Sequence, residues 1–373
     1  MNKLKLATIV GTRPEIIRLS ECIKKCDLFF DHVLIHTGQN YDYSLNQIFF
    51  DDLELRKPDY FLEVAGKHLG ETIGNVICKS YEVLLKEKPD ALLVLGDTNS
   101  VLCTIAAKRL KIPIFHMEAG NRCFDQNVPE EINRKISDHI SDINLCYTEH
   151  SRRYLLSEGF RKDHVFVTGS PLREVLTKYT AKIASSDVLS KLDLEQFKYI
   201  VVSAHREENI DLQDHFEILS RSINDVAVKY TIPVIFSTHP RTQKKITEKG
   251  IKFHPLVRLI EPLGFFDYVH LQKMSYIVLS DSGTISEESA MMKFAAVSIR
   301  TSTERPEAVD AGTITLGGII TDQVLNAIEV SKATAISDVT SLPWEYEVEN
   351  TSDRVIRIIQ SYTSIVNKVI WDK

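Results

Sequence analysis

Apolar residues along this chain fall into short runs, separated by longer segments in which they recur every three or four positions. Runs at Leu4–Val10, Val33–His36, Ala91–Leu95, Ile112–His116, Ile143–Tyr147 and Val165–Thr168 are rich in β-branched residues and end in polar turns, which predicts buried strands. The segments between them carry the helical period, notably from about Pro14, over Gly70–Lys86 and over Asn99–Leu110. Pro14 near a first turn is tolerated, because the N–H it lacks has no intrahelical partner there. Strand alternating with helix predicts an α/β fold, with a parallel sheet covered on both faces.

The second half repeats the rhythm, with strands expected at Tyr199–Ser203, Pro233–Phe236, Arg258–Glu261, Tyr276–Leu279 and Ala295–Ile299. Ser170-Pro171 punctuates the two halves, and the polar stretch Thr177–Lys198 is expected at the surface. Two Rossmann-like domains of similar size follow, residues 1–169 and 170–351. Val355, Ile358, Ile359, Tyr362, Val366, Val369 and Ile370 lie at helical spacing in a final helix. The plainer expectation is a helix packed on a domain; the sharper one is that residues 352–373 cross back to the first.

Composition narrows the function. The chain has 373 residues, 43% hydrophobic and 26% charged, as expected of an ordinary soluble globular protein. A net charge of −6 without a basic run argues against nucleic-acid binding. No basic-then-apolar leader and no membrane-length apolar stretch is present, so no membrane partner is expected. The six cysteines, at 22, 26, 78, 103, 123 and 146, are spread through predicted elements, as reduced core thiols of a cytoplasmic protein would be. Cys22 and Cys26 have no second pair to complete a zinc site, and no metal is expected.

Polar residues gather just after strand ends: Arg13, Gln39, Asp97 and Glu118 in the first half, His205 with Arg206 in the second. In an open α/β sheet that edge binds ligands. Tyr276–Leu279 runs into Ser280-Asp281-Ser282-Gly283 and then a helix, a turn whose unpaired N–H groups and helix dipole favour phosphate. Glu288, one turn further in, is placed for ribose hydroxyls. The plainer readings are that Asp281 or Ser282 caps that helix, that Asp97 caps its own, and that Glu130 and Glu131 only complement a helix dipole. Neither Gly-x-Gly-x-x-Gly after the first strand nor Gly-x-x-x-x-Gly-Lys occurs, so no nicotinamide or P-loop cofactor is expected.

Several motifs together resemble the non-hydrolysing UDP-N-acetylglucosamine 2-epimerase family. They are Gly11-Thr12-Arg13-Pro14-Glu15, Gly96-Asp97-Thr98, His116-Met117-Glu118-Ala119-Gly120, Pro129-Glu130-Glu131-Ile132-Asn133-Arg134, His205-Arg206, Asp281-Ser282-Gly283 and Thr303-Glu304-Arg305-Pro306-Glu307-Ala308, spanning nearly the whole chain. The resemblance implies a glycosyltransferase B-type fold with a UDP-sugar in the cleft between domains, the final helix returning to the first domain, and a homodimer. It implies a catalytic set of Asp97, Glu118, Glu130 and His205. Arg13, Arg18, Leu263, Tyr268, Ser282, Gly283, Thr284, Glu288 and Arg305 fall where the family contacts the nucleotide sugar.

Departures point to a branch. Arg18 stands where the glucosamine enzymes commonly have lysine, Thr284 for a second glycine, Tyr268 for phenylalanine and Leu263 for glutamine. The segment Gly38-Gln39-Asn40-Tyr41-Asp42-Tyr43-Ser44-Leu45-Asn46-Gln47 is unlike the Gly-Gln-His-Arg-Glu of that branch. It is similar to the branch that forms UDP-N-acetyl-L-fucosamine for capsule or O-antigen from a UDP-2-acetamido-2,6-dideoxy-L-talose.

The residues fit such chemistry. Carbon 2 of a 2-acetamido sugar has no adjacent carbonyl, so its proton is too weakly acidic for direct removal. Loss of UDP from carbon 1 as the proton leaves carbon 2 gives a glycal, and re-addition after reprotonation on the other face gives the epimer. That route needs an anion clamp and carboxylates, the inventory found here. Which carboxylate is acid and which base stays open. A glycosyltransferase of the same fold and a non-catalytic UDP-sugar binder are the alternatives; two carboxylate motifs in the first domain favour the epimerase.

Overall fold

The structure, a computed structural model, describes residues 3–38, 43–210, 214–238, 240–300, 302–335 and 341–373. The chain divides into two units, residues 1–177 with 347–373, and residues 178–346.

The first unit is built on a parallel sheet of β1 (Lys5–Val10), β2 (Asp31–His36), β3 (Tyr60–Phe61), β4 (Ala91–Leu95), β5 (Ile114–Met117), β6 (Ile143–Cys146) and β7 (Val165–Val167), in the order 3-2-1-4-5-6-7. Ala7, Ile9, Ile35, Leu92, Val94 and Ile114 are fully buried in its core. Parallel strands covered on both faces have no solvent side, which is why they read as unbroken apolar runs. The second unit holds β8 (Ile200–Ser203), β9 (Val234–Ser237), β10 (Val257–Ile260), β11 (Ile277–Ser280), β12 (Ala296–Ser298) and β13 (Thr315–Leu316), in the order 10-9-8-11-12-13, again parallel. Ile200, Val202, Phe236, Ile277 and Leu279 centre its core. The α/β class with two parallel sheets agrees with the sequence reading.

In each sheet the strand order reverses once, between β1 and β4 and between β8 and β11. The loops leaving the strands at such a reversal diverge and open a crevice at the carboxyl ends. Those loops are Gly11–Arg13 and Gly96–Asn99 in one unit, and His205–Arg206 and Asp281–Thr284 in the other.

Three expectations are corrected. The segment expected as one helix over Asn99–Leu110 is a 3₁₀ turn, Asn99–Leu102, followed by an α-helix, Cys103–Arg109. The Cys103 N–H reaches back to the carbonyls of Ser100 and Val101, which tightens the winding. The polar stretch 177–198 lies largely at the surface, as expected, and contains two short helices, Thr180–Ala184 and Val188–Lys191, with Tyr179, Ile183 and Val188 buried beneath its polar side chains. Of the six cysteines, all free, Cys78 is exposed and Cys123 half-buried, so four rather than six are core thiols. Helix Thr351–Ile370 buries Val355, Ile356, Ile359, Thr363 and Val366, whereas Val369 and Ile370, at 54% and 38% exposed, run past the surface they were expected to cover. This helix belongs to the first unit and lies against helix Arg13–Phe29, with Lys25 Nζ 2.6 Å from Asp353 Oδ1 and the Ser352 N–H donating to Glu174 at 2.9 Å.

Candidate active site

In the first unit β5 ends at Met117, and the next residue, Glu118, takes φ +64°. A left-handed backbone is costly for a residue with a Cβ and gathers at functional positions. It is flanked by Gly96 (φ +80°) and Gly120 (φ +81°), where a Cβ would stand 2.4 Å from the Ser151 carbonyl oxygen. A Cβ on Gly96 would lie 3.6 Å from Glu118 Oε2, so the Glu118 carboxylate rests against the loop that carries Asp97. Arg18 forms a buried ion pair with Glu118, and its guanidinium sits 5.7 Å from the centre of the Tyr147 ring. Asn121 donates to the other oxygen of Glu118 at 3.4 Å.

Asp97 is paired with Arg134, whose Nε also donates at 3.1 Å, while Asn133 holds the Asp97 carbonyl at 3.0 Å. Thr98, not Asp97, caps the following 3₁₀ turn. The two acids of Pro129-Glu130-Glu131 separate in role. Glu131 is fully buried, paired with Arg134 at 2.6 Å, and accepts from the backbone N–H groups of Cys123 and Phe124. Glu130 is half-buried in the first turn of helix Pro129–Ile140. His116, beside Glu118 in sequence, points into the core, 2.9 Å from Asp138, with its other nitrogen on the Gly96 carbonyl. Burial pushes the Asp138 carboxyl up, but His116 and Arg122 outweigh it and hold it below the ordinary range. Arg13 is half-buried, its guanidinium 5.7 Å from the Phe49 ring centre.

Sequence reasoning gave Glu15 no role. It is 2% exposed, and burial pushes its carboxyl up to about 7, against hydrogen bonds from Thr98, Gly11, Ser100 and Thr12 that pull it down. The only sequence mark is its place in Gly11-Thr12-Arg13-Pro14-Glu15. Of the segment 38–47, Gln39, Asn40, Tyr41 and Asp42 lie outside the described residues, as do the side chains of Tyr43–Gln47.

In the second unit Asp281 is fully buried and caps nothing in its own helix. Its carboxylate accepts from the backbone N–H of His205 and of Arg206 and from Asn209 Nδ2, each at 3.0 Å. His205 Nδ1 lies 3.3 Å from Asp281 Oδ1, while the ring itself is 47% exposed. Ser282 Oγ lies 2.9 Å from Thr284 Oγ1 and accepts from the Thr284 N–H at 3.3 Å, ahead of helix Ile285–Met292. A Cβ on Gly283 would meet Glu304 Oε1 at 2.7 Å and Arg206 at 3.3 Å, so only glycine fits there without displacing a side chain. Glu304 is itself clamped between Arg206 at 3.0 Å and Arg300 at 2.7 Å. Arg305 is buried, 3.2 Å from Glu287. Tyr268 has its hydroxyl pushed up by burial and by Glu288 nearby, and Glu288 accepts from Gln272 at 2.7 Å. Leu263 is half-buried in the loop that follows β10.

Each unit thus gathers its own share of the expected residues: Arg18, Asp97 and Glu118 in the first; His205, Ser282, Gly283, Thr284, Tyr268 and Glu288 in the second. Strand-end carboxylates held by arginines suit proton transfer, and a serine–glycine turn opening a helix suits a phosphate.

The family model described as UDP-N-acetylglucosamine 2-epimerase matches residues 24–360. A UDP-N-acetylglucosamine 2-epimerase of Methanococcus maripaludis is 38% identical over 340 residues, covering 87% of this chain and 91% of that protein. The solved UDP-N-acetylglucosamine 2-epimerase of Rickettsia bellii is 46% identical, covers 100% of both chains and superposes with a TM-score of 0.92. That of Methanocaldococcus jannaschii, solved in complex with UDP-GlcNAc and UDP, is 34% identical over 96% of this chain and 99% of that chain, with a TM-score of 0.90. A glycosyltransferase of Rickettsia africae, 12% identical with a TM-score of 0.56 and 100% of both chains covered, shares the fold alone. With its α/β sheets and strand-end motifs, this chain belongs to the non-hydrolysing UDP-N-acetylglucosamine 2-epimerase family, isomerases that act on UDP-sugars.

Proposed function

We propose that this chain inverts carbon 2 of UDP-2-acetamido-2,6-dideoxy-L-talose, giving UDP-N-acetyl-L-fucosamine as a donor for surface polysaccharide. The bond from carbon 1 to the phosphate oxygen breaks with its electron pair leaving on UDP. The carbon 2 proton passes to a protein base, and its electrons form the double bond of a 2-acetamidoglycal. A proton then reaches carbon 2 from the opposite face, and UDP oxygen closes again on carbon 1. Ser282, Gly283, Thr284 and the start of helix Ile285–Met292, with Arg13 and Arg305, hold the pyrophosphate as charge grows on it. Glu288, Tyr268 and Leu263 line the nucleoside. Asp97, Glu118, Glu130 and His205 form the acid–base set, contributing roughly a hundred- to ten-thousand-fold to the rate.

The observation that carries the reading is the buried Arg18–Glu118 pair against the loop of Asp97. It sets a planar guanidinium, where the glucosamine enzymes commonly have lysine, beside a carboxylate that handles the proton. A guanidinium binds in a fixed fork and an ammonium does not, so the exchange changes how a sugar hydroxyl or acetamide is read. UDP-N-acetylglucosamine is the second reading, favoured by the activity named for the M. maripaludis relative.

Both sugar nucleotides, incubated separately with the protein in deuterated water, decide the matter. The expected result is deuterium at carbon 2 of the epimer formed from the L-talose compound, and positional exchange of label placed in the bridging oxygen. Turnover of UDP-N-acetylglucosamine alone would establish the second reading. Retention of the carbon 2 hydrogen, or a requirement for added NAD, would sink the elimination route.

A further inference from the structure

Glu15 accepts hydrogen bonds from two strand-end loops. From the loop after β1 come the Gly11 N–H at 2.6 Å and the Thr12 hydroxyl at 3.1 Å; from the loop after β4 come the Thr98 hydroxyl and the Ser100 hydroxyl at 3.0 Å. Thr98 and Ser100 also join each other at 2.8 Å. All four donors are uncharged, and among the described residues no cation pairs with Glu15. A carboxyl removed from water without a cation is costly to keep, and an apolar side chain would serve stability better.

The two loops carry Arg13, two residues before Glu15, and Asp97, one residue before Thr98. Asp97 is thereby fixed from both sides. Its side chain is held by Arg134 and its carbonyl by Asn133, while the following residue is tied to Glu15. Arg134 orients the carboxylate; Glu15 sets where its backbone lies relative to the first loop.

We propose that Glu15 is a positioning residue for the 2-epimerase reaction, holding the Asp97 loop and the Arg13 loop in one register through a shared acceptor. The proposal rests on the elimination reading given above. Glu15 touches neither sugar nor phosphate in this account; it acts through the loops. Misplacing a reacting group by about 1 Å costs on the order of a hundredfold in rate.

The test compares the full-length wild type with Glu15→Ala, Glu15→Asp and Glu15→Gln. Turnover is read by deuterium entering carbon 2 of UDP-2-acetamido-2,6-dideoxy-L-talose and of UDP-N-acetylglucosamine, with calorimetry for UDP affinity and hydrogen exchange for the Gly11, Thr12, Thr98 and Ser100 amides. Glu15→Ala should lower kcat by roughly a hundredfold with KM and UDP affinity within about threefold, and its four loop amides should exchange faster. Should Glu15→Ala fail to fold, Glu15→Asp, too short to reach both loops, should lose about tenfold or more in kcat with the same split. Glu15→Gln should recover kcat to within about tenfold of wild type, because its amide oxygen still accepts the Gly11 N–H and the hydroxyls can turn to accept its NH₂. The proposal is overturned if the variants keep wild-type kcat, if KM rises as much as kcat falls, or if Glu15→Gln is no better than Glu15→Ala. A wild type that exchanges no hydrogen at carbon 2 of either compound overturns the reaction reading, and the proposal with it. An active wild type with unaffected variants overturns the proposal alone.

Discussion

Replacing Asp281 by asparagine tests how the second unit prepares His205. The carboxylate takes three donors at 3.0 Å and faces His205 Nδ1 at 3.3 Å. An asparagine keeps one oxygen for the His205 N–H, the Arg206 N–H and Asn209, but its NH₂ must then occupy the place facing the imidazole. There Nδ1 can only accept, so the ring proton is held on Nε2, the nitrogen that the proposed reaction gives to the substrate. A hydrogen bond to a charged group contributes about 1.5–3 kcal/mol and a neutral one about 0.5–1.5 kcal/mol, so the loss over the three donors is about 3–4.5 kcal/mol. For a unit of this size that lowers the melting temperature by about 6–18 °C and leaves the protein folded at about 25 °C. Turnover should fall much further, by roughly a hundred- to ten-thousand-fold, the share of a misassigned acid–base group. Deuterium incorporation, UDP calorimetry and thermal melts on the same preparation separate the effects. An Asp281→Asn protein that melts early yet keeps kcat within about threefold of wild type would refute the reasoning. Asp281→Ala, by contrast, strands three buried donors at about 1–3 kcal/mol each and should unfold the unit.

Three further outcomes follow from the geometry. Asp97→Asn should abolish most turnover, by roughly a hundredfold or more, while UDP affinity stays unchanged and stability drops by only about 1 kcal/mol, since Arg134 keeps Glu131; equal losses of binding and turnover would argue against it. Gly283→Ala places a Cβ 2.7 Å from a Glu304 side chain that two arginines hold in place; overpacking of about 1–3 kcal/mol should weaken UDP by roughly tenfold in calorimetry. Glu15→Gln removes a carboxyl whose folded pKa, about 7, lies above its ordinary value of 4.5, so the native state binds the extra proton. The contribution of Glu15 to wild-type stability is therefore fully present below pH ~4.5 and is lost as pH rises through ~7, by about 3 kcal/mol relative to the variant, and parallel melting curves of the two proteins from pH 5 to 8 would contradict this.

The alternation of strand and helix was legible because buried parallel strands must be continuously apolar, and the strand ends fell within a few residues of expectation. β3 and β13 were not, since two-residue edge strands leave no periodicity to read. Four of the seven motifs, at 11–15, 96–98, 205–206 and 281–283, lay where the sheet order reverses, a position that strand order alone gives and sequence spacing does not. Contacts between distant residues stayed hidden. Nothing near Glu15 announces partners at 98 and 100, and nothing near His205 announces Asp281. Adjacent acids were equally opaque: Glu130 and Glu131 look alike in sequence, and only the fold turns Glu131 inward to Arg134.

The placing of helix Thr351–Ile370 has a consequence for synthesis. Helix Arg13–Phe29 packs against helix Thr351–Ile370, whose residues are made only after the whole of the second unit. Domains ordinarily fold in the order they are made, the first closing before the next appears. Here the second unit, continuous over residues 178–346, is complete in sequence while the first still lacks a wall. The nascent first unit therefore carries an uncovered strip along helix Arg13–Phe29 until residues 351–370 have been made, and a chain cut short before residue 351 leaves that strip open for good.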